Sequence, residues 1–305
     1  MTGIIYRSVN TLRRQLGFCA IFVMVLTTCA PTVSAQAWVP PAKVGSVGLL
    51  LQHVDHTGHF LADGSILRGY DSVSRAAMLR FDYAFTDRLS ISAAAAYVGA
   101  KYIGPEPSFF GLEIDDCHCW NTDWQDGSVT VRYNIFNDAF ALTPSISYGA
   151  PLTNYPYFGE AAIGRNLDEL RLAIDMGGRL DAITPKLSVA GLYSYAIVEE
   201  VLDLDLDRSN VLVNVSYQFT RRLSASVDFY LQRTHGGLRS TEFETDEEWE
   251  QYDRIIKDDS FHIGGTLAYS FNRIDVFASY IEFVDGTDTH DGRAVTIGLG
   301  WPFEF

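Results

Sequence analysis

The chain has 305 residues, 47% of them hydrophobic, with 16 Tyr and 19 Phe, and a formal net charge of −15. Such acidity repels phosphate backbones, which are bound through clustered Lys and Arg, so nucleic acid is excluded as a partner. Past the first 35 residues the apolar side chains alternate rather than form blocks, and no stretch is long and apolar enough for a transmembrane helix, so any passage through a bilayer is made by strands.

At the N-terminus Arg7, Arg13 and Arg14 precede an apolar run over 16–26, and Val33-Ser34-Ala35 offers small residues for cleavage. This is the layout of a secretory signal peptide over 1–35, leaving 36–305 as one β-barrel domain. Cys29 follows Leu26-Thr27-Thr28, without the small residue that precedes a lipidated cysteine. Only 36–42 are left ahead of the first strand, so no energy-coupling segment is expected.

Strands are then expected in succession, beginning with 43–54. Ala77, Leu79, Phe81, Tyr83 and Phe85 alternate with Met78, Arg80, Asp82 and Ala84. Leu89, Ile91, Ala93, Ala95 and Tyr97 alternate with Ser90, Ser92 and Ala94. Val129, Val131, Tyr133 and Ile135 alternate with Ser128, Thr130, Arg132 and Asn134, and the pattern continues through 140–148 and 170–177. Further strands fall at 184–197, 208–219, 222–234, 259–271, 273–284 and 292–305. In each, side chains of opposite character point to opposite faces.

Two kinds of connection join them. Tyr83-Ala-Phe-Thr-Asp-Arg-Leu-Ser90 is echoed by Tyr217-Gln-Phe-Thr-Arg-Arg-Leu-Ser224, and more loosely by Tyr269-Ser-Phe-Asn-Arg-Ile274. Each is a tight turn between antiparallel neighbours, with an aromatic pair suited to a membrane–water boundary. The other connections, 55–72, 101–124, 150–168, 198–208, 234–258 and 285–291, are expected to be long loops. The fold class implied is all-β: a transmembrane antiparallel up-and-down β-barrel of about 12 strands, with short periplasmic turns and long extracellular loops. A soluble sandwich would carry Lys and Glu on its polar face, whereas here that face is Ser, Ala, Gly, Thr and isolated charges.

The final strand presents Ile297, Leu299, Trp301, Phe303 and Phe305 on one face. An outward row ending on aromatic rings suits lipid contact and resembles the C-terminal signature recognised by the barrel-assembly machinery. Outer-membrane lipids, that machinery and small-molecule solutes are therefore the expected partners.

By parity the interior receives Arg80, Asp82, Arg132, Arg171, Asp175, Arg179, Asp228, His262 and Asp275. These could set the selectivity of a solute path, or could pair and fill the barrel. Twelve strands lie between the side-chain-filled barrels of about eight and the open ones of about sixteen, so a narrow or gated passage is expected.

The loops are acidic, with Glu106, Glu113, Asp115 and Asp116 in one and Glu242, Glu244, Asp246, Glu247, Glu248, Glu250 and Asp253 in another. They are read as a solvated surface, with divalent-cation binding as the sharper alternative. Asp285-Gly-Thr-Asp-Thr-His-Asp291 only partly matches a calcium loop. Cys117 and Cys119 are expected to form a disulfide in an oxidising envelope, with a site including His118 as the alternative. His53, His56 and His59 would have to curl into a turn to share a metal, and no metal or cofactor is expected. A barrel hydrolase needs Ser and His together near the lipid boundary; Ser260 and His262 have the spacing but face inward, so no enzyme is expected.

Through the hairpin at 83–90, its echo at 217–224, and the segment Pro151-Leu152 through Gly159-Glu160-Ala161, the chain resembles outer-membrane barrel proteins of the meta-pathway of phenol degradation, a transporter-like family. The resemblance covers 70–270. It implies passive passage of small, hydrophobic or aromatic solutes and carries over no site residues. A structural or adhesive barrel without an open path, or a barrel hydrolase, is the alternative.

Overall fold

The computed structural model describes residues 37–104, 108–109, 112–113, 118–159 and 161–304. The expected signal peptide, Cys117 and Phe305 lie outside the described residues. Twelve long strands follow in chain order: β1 (Val44–Phe60), β2 (Ile66–Ala84), β3 (Leu89–Tyr102), β4 (Asn121–Tyr133), β5 (Phe140–Pro151), β6 (Glu169–Arg179), β7 (Leu187–Val198), β8 (Arg208–Gln218), β9 (Leu223–Thr234), β10 (Asp259–Ser270), β11 (Asp275–Thr287) and β12 (Thr289–Glu304). Each is antiparallel to its neighbours in sequence, and β12 returns to β1, from Val44↔Glu304 to Phe60↔Thr289. The result is a closed ring of twelve strands.

Closure answers the bilayer's main demand, since hydrocarbon cannot satisfy an open sheet edge. The seam between β4 and β5 is short, running from Asp126↔Pro151 to Arg132↔Ser145. Pro144, which has no N–H to donate, sits where β5 passes from β4 to the short strand Phe136–Asn137.

Alternation separates the two faces. Val47, Leu51, Leu79, Val131, Leu172, Leu267 and Ile297 are exposed on the outside. Their partners in alternation, such as Ser90, Thr143, Asn210, Asn214 and Thr296, are buried inside. An apolar outer belt with a polar interior inverts a soluble protein and identifies a bilayer-spanning barrel.

The repeated turns share one geometry. The rings of Tyr83 and Phe85 meet edge-on at 5.0 Å, as do those of Tyr217 and Phe219, while Tyr269 and Phe271 meet at 4.7 Å. The Thr86 hydroxyl accepts from the Arg88 and Leu89 amides, and Thr220 does the same for Arg222 and Leu223. The sequence echo is thus one threonine-braced hairpin used twice.

Two expected loops are instead strand. Residues 55–72 continue β1 and β2, leaving 61–65 as a tight turn in which Gly64 takes a φ of 78°. Residues 285–291 continue β11 and β12, which turn on Asp288 alone, at a φ of 51°. Above the bilayer the outward residues need not be apolar: Asp55 meets Arg293, and Arg68 pairs with Asp291. Without that alternation the strands leave no hydrophobic trace in sequence.

Ile297 is half exposed on the belt. Ile297→Arg is expected to cost about 2–4 kcal/mol in reversible unfolding from lipid vesicles, if it lies near mid-bilayer depth.

Candidate functional site

The ring encloses a lumen that three parts of the chain divide. The first enters from the short-turn rim. Asn134 Nδ2 and the Thr143 hydroxyl donate to the Ala37 carbonyl, Trp38 Nε1 donates to the Asp138 carbonyl, and Asn137 Nδ2 donates to the Val39 carbonyl. Ala37 and Val39 are buried there. Gly177 makes room, because a Cβ on it would come within 2.6 Å of the Trp38 ring.

The second part is the connection 152–168, which folds inward from the opposite rim. The inward faces of β1, β2, β3 and β11 are not wholly polar: Leu50, Met78, Ala96, Val98 and Phe277 project there. Tyr155 and Ile163 cover them, each contributing about 1.5–3 kcal/mol of burial. Polar bonds fix the loop: Gln125 Nε2 donates to the Ile163 carbonyl at 2.7 Å, and the Tyr155 hydroxyl donates to Asp126 at 2.6 Å.

The third part is a canopy formed by 199–207 and 235–258, with α1 (Asp246–Glu250) and α2 (Tyr252–Ile255). Phe243, Ile255, Ile256, Val201 and Leu206 make a small core that also takes in Leu167. Arg239 ties the canopy to the barrel through Asp259 and Thr287. Glu242, Glu244, Asp246, Glu247 and Glu250 stay in solvent.

A cavity of about 450 Å³ lies between the loop residues 164–167 and the wall from β2 to β8. Among the expected lumen residues, Arg80, Arg132, Arg171 and Asp175 border it. Arg132 and Asp175 face each other at 3.5 Å, both almost fully buried. Asp82 lies beside Arg80, which grips it with two bonds of 2.7 and 2.8 Å. Asp228 belongs to a separate network, accepting from Asn214, Thr266 and Ser226. His262 lies between the rings of Tyr230 and Phe283, at 4.2 and 4.1 Å. Arg179 and Asp275 stand exposed at the short-turn rim, Arg179 beside Asp181.

Sequence reasoning missed Arg165, Arg208, Asp126 and Glu169, which also border the cavity. Arg165 lies in a loop, Glu169 and Arg208 open their strands, and Asp126 sits at the register shift of β4 opposite Ala95 and Tyr97, so parity gives no guidance at any of them.

The histidines form a cluster, but not the one expected. His53 bonds Asp55 on the outer face, while His56 and His59 flank His290 at ring distances of 4.3 and 4.4 Å. Among the described residues no group of three His, Cys, Asp or Glu is disposed to hold a metal. Cys119 is disulfide-bonded. Another Ser–His pair is present, formed across strands rather than along one: Ser209 Oγ lies 2.6 Å from His235 Nε2. Among the described residues no carboxylate or amide side chain bonds the other nitrogen of that ring.

No family model matches the chain, and no curated protein matches it. Among solved structures it is similar to an outer membrane channel from Pseudomonas putida F1, at 10% identity over 90% of this chain and 100% of that one, with a TM-score of 0.68. It is also similar to the translocator domain of the autotransporter NalP from Neisseria meningitidis, at 10% identity over 87% and 90%, with a TM-score of 0.51. The β-domain of the Bordetella autotransporter BrkA gives 8% identity, 86% and 100% coverage and 0.51. At these identities the shared property is the fold, that of an outer-membrane β-barrel.

Two outcomes follow from this geometry. Gly177→Val is expected to expel residues 37–39, read as faster tryptic cleavage after Lys43 with the barrel still folded. His56 lies above the apolar belt, where burial, then His59 and His262, hold its imidazole far below the usual 6.5. The neutral form is favoured in the fold, so its contribution is complete above about pH 6.5 and is lost as the pH falls. Protection of the amides in 53–60 and 289–293, corrected for the intrinsic pH dependence of exchange, is expected to fall between pH 7.5 and 5, and less so in His56→Phe.

Proposed function

We propose that the protein is a passive outer-membrane channel for small solutes, with a narrow, gated path through the lumen. The observation that carries this reading is the cavity inside the closed ring, lined by both charged and apolar side chains, with the N-terminal segment below and an inward-folded loop beside it. Buried charge is costly, and a wall bearing Arg132, Arg171 and Asp175 is better suited to a hydrated path than to inert filling. Arg80 and Asp82 form part of that wall, Asp228 and His262 line the remoter side, and Arg179 and Asp275 flank the short-turn mouth. The likeness to a solved outer membrane channel supports the reading. The resemblance to the phenol meta-pathway barrels suggests hydrophobic or aromatic solutes.

The segment 1–35 would direct export, the belt would meet outer-membrane lipids, and Ile297, Leu299, Trp301, Phe303 and Phe305 would be read by the assembly machinery. A structural barrel with no open path is the second reading, favoured by the plugging of the lumen by residues 37–39 and by Tyr155 and Ile163.

Planar-bilayer recording and liposome flux test the choice. Small, discrete conductance steps are expected. Asp175→Asn is expected to move the reversal potential toward anion selectivity by leaving Arg132 uncompensated, with some loss of stability. A folded barrel with neither conductance nor solute flux would favour the structural reading.

A further inference from the structure

Among the residues that border the cavity arginine outnumbers carboxylate, although the chain as a whole is acidic. Arg80, Arg132, Arg165, Arg171 and Arg208 border it against Asp126, Glu169 and Asp175, in a chain whose formal net charge is −15. Four of these arginines have acidic partners. Arg80 holds Asp82, Arg132 faces Asp175, Arg165 meets Asp258 at 2.7 Å, and Arg171 meets Glu169 at 2.6 Å.

Arg208 differs. It opens β8, opposite Ala196 of β7 and Thr234 of β9, and is 6% exposed. Among the described residues it makes no ion pair, and its Nε has no hydrogen-bond partner. Glu169, Asp258 and Asp126 are close enough to interact with its charge but none is paired with it: Arg171 and Arg165 engage the first two, and the Tyr155 hydroxyl donates to the third. A buried guanidinium with no carboxylate bonded to it is costly and favours an anion that can bond it directly. Its planar fork matches a carboxylate, which it can hold through two parallel bonds. The same cavity is walled by Leu167, Leu192, Val198 and Leu212. A bound anion would therefore place an apolar body against hydrocarbon.

We propose that this lumen pocket binds a small organic carboxylate with an aromatic or branched aliphatic body, its carboxylate held by Arg208. The inference rests on the channel reading and deepens it by naming the class of solute. The acidic loops would repel such anions in bulk, so the Arg208 pocket would act as a selective station inside the barrel rather than as a general attractor at its mouth.

Titration calorimetry of the detergent-solubilised barrel with benzoate, and with benzyl alcohol as the neutral analogue, tests this without requiring transport. Saturable benzoate binding is expected, with benzyl alcohol about tenfold weaker or more, because it cannot satisfy the guanidinium. Arg208→Gln is expected to weaken benzoate about tenfold or more and leave benzyl alcohol unchanged, with folding checked by heat-dependent gel mobility. Equal binding of the two ligands by the wild type, or unchanged benzoate affinity in Arg208→Gln, would overturn the proposal. Should Arg208→Gln fail to fold, the wild-type comparison decides alone. Conductance without benzoate preference would remove this site and leave the channel; benzoate binding without conductance would do the reverse.

Discussion

The constraint on which the structure depends is that a bilayer offers no partner to an unpaired peptide group. The ladder between β12 and β1 meets it, joining the last strand to the first from Val44↔Glu304 to Phe60↔Thr289. Once that register is set, every side chain is assigned to lipid or to lumen, and a slip of one residue would exchange them. Leu51 and Ile297, paired across the seam, both face out, while their neighbours Gln52 and Thr296 bond each other inside. The belt and the lumen are thus two consequences of one closure.

Closing twelve strands creates more interior than the wall's own side chains fill, and the chain resolves the surplus in two ways. Where the inner face is apolar, at Leu50, Met78, Val98 and Phe277, the loop 152–168 supplies Tyr155 and Ile163. That close approach needs Gly164, since a Cβ there would lie 2.6 Å from Gln125 Nε2. Where the inner face is polar, arginine–carboxylate pairs border the remaining space. Apolar filling and charge-lined cavity meet along β2 and β3 within one lumen, which gives the proposed path both its narrowness and its charge.

Strand content was largely legible because, within the bilayer, alternation is enforced at every position: Leu79-Arg80-Phe81-Asp82 can be read without coordinates. Legibility ended where lipid ends. His56, Gly58 and Thr289 continue strands in water, where no outward apolar residue is required, so both outer hairpins resembled loops. The inserted segments were hidden for another reason. Tyr155, Ile163 and Trp38 are isolated apolar residues in irregular chain, and only the surfaces they cover give them meaning. One clue was available: Leu50, Met78 and Phe277 occupy the nominally polar face and need a covering partner. Arg208 had no such clue, because a strand's first residue has no parity until its pairing is known.

Spin-label accessibility along β12 tests the central claim most directly. Single labels at positions 294–301 in lipid-reconstituted protein would be probed with oxygen, which partitions into hydrocarbon, and with a water-soluble nickel chelate. Oxygen accessibility is expected to peak with period two at Val295, Ile297, Leu299 and Trp301, with minima at Ala294, Thr296 and Gly300, Gly298 being left unlabelled because a side chain there would overlap the Phe277 ring. A flat profile, or nickel access equal at both sets of positions, would contradict a lipid-facing closed ring.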